Sequence, residues 1–186
     1  MSSNQLKKIS EGIFTSKILY CLPLYSNIWG LENMDQTKRK FSALTKEDAR
    51  KLQVLQNKVL RLKSGNYDLN VPTSVLLEAT GDLSVQQLGA FHTTLTVFKI
   101  IQSREPAYLA EKLTLRKGEN NGIFPPRHLN TIQVHCDLTI SRSGFLYRGA
   151  SIWNQLPSEM RQETRLAAFK VQLRKWIISN VPVKPP

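Results

Sequence analysis

Two groups of residues in this sequence could do chemistry. Glu47-Asp48 is the one adjacent acidic pair, and paired carboxylates can hold divalent metal ions for phosphoryl transfer. Its place at the start of a helical pattern gives it another use, since acids in a first turn complement the helix dipole. His128, His135 and Cys136 form the second group, with Cys21 far away in the chain. A zinc site draws on four Cys or His ligands at close-paired spacings such as Cys-x2-Cys, which this set lacks. No metal or cofactor is assigned. There is no Ser-His-Asp order, no Gly-rich phosphate loop and no endonuclease-like acidic cluster. The chain reads as non-catalytic.

Charge points elsewhere. The 186 residues hold 26 Lys and Arg against 14 Asp and Glu, a formal net charge of +12. Residues 1–70 carry 12 basic against 6 acidic groups, residues 71–140 carry 6 against 6, and residues 141–186 carry 8 against 2. Two basic ends flank a neutral middle. Such a balance favours a polyanionic partner, nucleic acid or an acidic membrane surface. No run of about 18 apolar residues exists to span a bilayer. The opening MSSNQLKKIS lacks the apolar core of a secretion signal. Two cysteines far apart point to a reducing compartment, so an intracellular location, nuclear or cytoplasmic, is expected.

The elements that position these groups read as helices. Leu6, Ile9, Ile13, Phe14, Ile18 and Leu22 recur at helical intervals, predicting a helix over residues 4–28 capped by Ser3 or Asn4 and bent or broken at Pro23. Leu24–Trp29 would add a turn or two before Gly30 ends it, and Cys21 would be a buried, inert thiol. Residues 31–43 are polar and read as a loop; the basic Thr37–Lys40 reads as a solvated cluster ahead of a phosphate contact or a nuclear-import address. Thr45 caps the best-marked helix, which ends at Gly65 and is expected to bury Leu52, Leu55, Val59 and Leu62. Arg50, Lys51, Lys58, Arg61 and Lys63 cover much of its remainder.

Pro72-Thr73 starts a short helix through Ala79, ended by Gly81. Ser84 and Gln87 make a capping box for a helix over Leu83–Gln102 with the stripe Leu88, Phe91, Leu95, Phe98 and Ile101. Pro106 opens a further helix that would carry Tyr108, Leu109 and Leu113 to the core. Residues 114–142 read as loop, with Thr131–Ile140 β-prone. Leu146, Ala150 and Trp153 share a helical face, and Leu156-Pro157 ends that helix before a further turn through Met160. Thr164 caps the last helix, whose stripe is Leu166, Phe169, Leu173, Trp176 and Ile177. The tail VPVKPP is too proline-rich to fold.

The fold class expected is all-α, an assembly of about six to eight helices in two clusters. The Trp153 and Phe169 helices are expected to pack on the Phe91–Phe98 helix. The units read as 1–66, a helical hairpin; 67–113, further helices; 114–142, a linker with a possible short strand; 143–180, the aromatic helices; and 181–186, the tail.

Several stretches also resemble a known family. They are SKILYCLPLYSNIWG with Trp29, LQVLQNKVLRLKSG with Gln56 and Asn57, and the C-terminal series Phe145, Arg148, Gly149, Trp153, Asn154, Leu156, Pro157, Phe169, Lys170 and Leu173. In order and spacing these are similar to the C-terminal, thumb and post-thumb region of non-LTR (LINE-type, Jockey- and CR1-like) retrotransposon reverse transcriptases. The resemblance implies a thumb that grips a primer–template duplex beside a palm. The palm's Tyr/Phe-x-Asp-Asp turn is absent here, so the chain is not expected to act as an RNA-directed DNA polymerase by itself.

On that resemblance Lys7, Lys8, Lys17, Arg50, Lys51, Lys58 and Arg61 would contact phosphates of RNA or an RNA–DNA duplex. Trp29, Gln56, Asn57, Arg148, Gly149, Trp153, Asn154, Leu156, Pro157 and Phe169 would be structural. The missing palm and fingers of a parent polymerase are implied partners. The alternative readings are a stand-alone helical protein-interaction module, self-associating through an apolar patch near Phe14, Ile18 or Trp29, or a relic of a mobile element.

Overall fold

The computed structural model describes residues 5, 8–20, 46–116, 130–133 and 144–183. Regular structure among them is helical. A π-helical turn, Ser10–Thr15, runs into α1 (Ser16–Leu19), followed by α2 (Lys46–Ser64), α3 (Thr73–Thr80), α4 (Val85–Ser103), α5 (Ala107–Lys112), α6 (Phe145–Gln155), α7 (Ser158–Gln162) and α8 (Leu166–Asn180). The fold is all-α. The β-prone stretch contributes one isolated antiparallel bridge, Leu115 to Ile132, among the described residues.

The central element is α4. Its start is fixed by the expected capping box: Ser84 Oγ accepts from the Gln87 backbone N–H, and Gln87 Oε1 accepts from the Ser84 N–H. Burial goes beyond the expected stripe to include Ala90, Thr93, Thr94, Val97 and Ile100. A helix buried on several faces must be covered on several sides. Here α1, α2, α5, α6 and α8 all pack on α4. The threonines fit this setting because Thr94 donates its hydroxyl to Ala90 O at 2.8 Å.

The aromatic helices close the main core as the sequence predicts. Phe98 of α4 stacks on Phe169 of α8 at 4.1 Å between ring centroids, and Trp153 of α6 lies 5.9 Å from Phe169. Leu173, Ile177 and Val181 complete this side. A smaller cluster joins Leu60 of α2 to Leu76 and Leu77 of α3. Gly65 and Gly81 end α2 and α3 at positive φ, a conformation without penalty for glycine.

Four expectations need correction. The N-terminal helix stops at Leu19, with Tyr20 extended, instead of running through a bend at Pro23. The end therefore falls before Pro23, which lies outside the described residues. Second, α2 does not bury its apolar stripe. Leu55 and Leu62 are 47% and 49% exposed, and the inward face is Gln53, Gln56, Asn57 and Leu60.

Third, Tyr108 is 67% exposed, while α5 turns Ala110 toward the core and Leu113 follows it inward. Fourth, Arg165 and not Thr164 occupies the cap position of α8. No side chain caps the first helical N–H groups; the Glu163 carboxylate instead accepts from the Thr164 and Arg165 N–H groups in the turn before the helix. Pro157 likewise sits at the cap of α7, one position before the helix proper. Thr45, Cys21, Leu24–Gly30, Thr37–Lys40, His128, His135, Cys136 and residues 184–186 lie outside the described residues.

Candidate nucleic-acid interface

The basic residues expected to meet phosphate separate into two kinds. Lys8, Lys17, Lys51 and Lys58 are exposed. Arg50 and Arg61 are engaged within the chain. Arg50 forms a two-pronged pair with Glu47, Nε and Nη2 each 3.1 Å from a carboxylate oxygen. Its hydrogen bond, then its charge, holds the Glu47 carboxyl below the usual carboxylate range. That pairing gives Glu47 a partner one turn along its own helix. Arg61 donates to the carbonyls of Asp68 and Leu69, both at 3.3 Å, and so braces the turn after α2. Lys7 lies outside the described residues.

The family-like residues that are described lie mostly inside, as anchors of main chain. Asn57 and Gln56 sit one helical turn from Gln53 and accept from its Nε2, at 3.0 and 2.8 Å. Gln56 Nε2 then donates to Leu83 O at 2.8 Å, Asn57 Nδ2 to Thr73 Oγ1 at 2.8 Å, and the Val85 N–H to Gln53 Oε1 at 3.0 Å. The three amides thus satisfy groups at the starts of α3 and α4 that a leucine would leave orphaned. This explains why polar residues face inward on α2. Lys63 adds an ion pair to Asp82 at 2.6 Å across the same junction.

The C-terminal motif works similarly. Trp153 fills the core and donates Nε1 to Asn130 O at 2.9 Å. Asn154 beside it accepts from the Ile132 N–H at 2.7 Å and donates to Ile132 O at 3.0 Å, behaving as one residue of a strand. Ile132 is thereby held for its bridge to Leu115. Leu156 and Phe169 are buried, and Pro157 is exposed. Arg148 and Arg161 are buried, and desolvation lowers the pKa of each guanidinium. Arg161 reaches Asn154 O at 3.3 Å. Gly149 permits close approach of α6 to α4: a β-carbon there would come within 2.6 Å of Val97 Cγ2.

One basic region escaped the sequence reading. Neither α4 nor α8 contains an Asp or Glu, and where they meet they present His92, Lys99 and Lys170. Desolvation lowers the His92 pKa first, and the charges of Lys99 and Lys170 lower it further. Arg174, also on α8, donates to Gly81 O at the end of α3. The available signal was negative, two long helical segments without a carboxylate.

Among the described residues no cluster of three or more His, Cys, Asp or Glu could hold a metal ion. No described helix is long and apolar enough to cross a membrane. No protein-family model, curated protein or solved structure matches this chain.

Proposed function

We propose that this chain is a non-catalytic C-terminal module of a retrotransposon reverse transcriptase that binds the backbone of a primer–template duplex electrostatically. The observation that carries the reading is a set of exposed lysines that form no ion pair of 4.0 Å or less among the described residues, Lys51 acting on Glu47 through its charge alone. Ion pairs within the described residues are Arg50–Glu47, Lys63–Asp82 and Arg165–Glu163. Lys8, Lys17, Lys51, Lys58, Lys99, Lys170 and Lys175 are exposed and outside all of them. Flexible ammonium groups on a helical frame suit phosphate contact that carries no base sequence information. The family resemblance supplies the polymerase context, and the missing Asp-Asp turn makes the module non-catalytic.

The test is binding to an RNA–DNA hybrid and to matched single strands between about 50 and 300 mM salt. Tight duplex binding whose logarithm falls with log salt at a slope of several units is the expected result, because neutralised phosphates release counterions. A flat salt response, or no binding at the lowest salt, overturns the reading.

A second reading has an observation of its own. Leu55 and Leu62 lie exposed on the same face of α2 as Lys51 and Lys58, and Val54 is 36% exposed. This favours a helical protein-interaction module, for which self-association that survives high salt is the discriminating result.

A further inference from the structure

We propose that the seam between α4 and α8 is a phosphate-binding site for nucleic-acid backbone, with Lys99 and Lys170 as its cationic groups and the half-buried His92 beside them. The site rests on the nucleic-acid reading above and gives it a location that the N-terminal lysines do not include.

Three observations place it. The stack of Phe98 on Phe169 at 4.1 Å brings α4 and α8 together, and Lys99 and Lys170 each follow one of these rings in the chain. Both lysines are exposed. Neither helix supplies a carboxylate, and neither lysine has an ion-pair partner among the described residues.

His92 adds the third. It lies two turns before Lys99 on the same helix, hence on the same face, and is half-buried beside Phe91. Of the charged groups on described elements packed against α4, Lys170 acts on His92 from across the seam, as Lys99 does from its own helix. Lys17 on α1, Lys51 on α2, Glu111 and Lys112 on α5 and Arg148 on α6 are not among its perturbers. The charged groups that act on the imidazole are therefore the two lysines of the seam. A phosphodiester there offsets the two positive charges that act on His92 and favours the protonated imidazole.

The experiment follows the His92 ring proton by NMR across pH, with and without the RNA–DNA hybrid, on the whole chain. The His92→Gln variant assigns its signal among the three histidines. The expected result is an upward shift of the His92 midpoint on binding. Lys99→Gln with Lys170→Gln is expected to weaken binding several-fold, reduce the salt slope by about one unit per lysine, and leave the melting temperature unchanged. Lys51→Gln should preserve the His92 shift. Duplex binding with the His92 midpoint unmoved overturns the seam and leaves the nucleic-acid reading intact. Absence of binding at low salt overturns both.

Discussion

Gly149 of α6 lies so close to Val97 of α4 that its missing β-carbon is the space between them. Val97 is fully buried, branched at its own β-carbon and unable to swing aside. Gly149→Ala is expected to destabilise the fold by about 1–3 kcal/mol through overpacking. Chemical denaturation measures this, and Val97→Ala in the same chain should recover part of the loss because the two positions couple.

Trp153 is 1% exposed and lies beside the Phe98–Phe169 stack. Replacing it with alanine leaves a cavity and orphans Asn130 O, so a loss of about 3–5 kcal/mol is expected. Trp153→Phe keeps most of the volume and should cost markedly less. An unchanged melting temperature for the alanine variant would contradict the packing described.

Asn154 offers a test of local and global stability together. Asn154→Ala removes both hydrogen bonds to the Ile132 main chain and is expected to cost about 1–3 kcal/mol. Amide exchange should accelerate at Ile132 by more than it does within α4. Equal acceleration at both places would mean that Asn154 supports the whole fold and not the segment it touches.

His92 predicts a pH dependence with a definite sign. Burial, with Lys99 and Lys170, holds its folded pKa below the ordinary 6.5. Between these two values the unfolded chain binds more protons, so stability falls as pH drops from about 6.5 toward the folded pKa and the loss is complete below it. His92→Gln should flatten this part of the stability profile, as read by thermal melts across pH. A profile unaltered by the substitution would show that His92 titrates as it does in an open chain.

How much of this was legible follows from what each element packs against. The capping box of α4, the glycine stops of α2 and α3, and the Trp153–Phe169 core rest on local pattern and on apolar contact, and the sequence reading reached all three. The orientation of α2 did not follow, since an apolar face is ordinarily the buried one. What Gln53, Gln56 and Asn57 meet is the Val85 N–H, the Leu83 carbonyl and the Thr73 hydroxyl, which a pattern internal to α2 cannot reveal. Among the basic candidates, the Arg50–Glu47 pairing could have been read from their spacing of three. Arg61 could not, because its partners are the carbonyls of a turn.

The contact from Gln87 Nε2 to Val181 O spans 94 residues, so it forms only after both segments have left the ribosome. Val97 and Phe98 leave the exit tunnel well before Phe169, Leu173 and Ile177 exist to cover them. At synthesis rates of about 5–20 residues per second, α4 waits for α8 for roughly 5–20 seconds. The main core therefore closes only once residue 181 has itself left the exit tunnel. Until then the nascent chain presents α4's most apolar surface to whatever chaperone stands nearby.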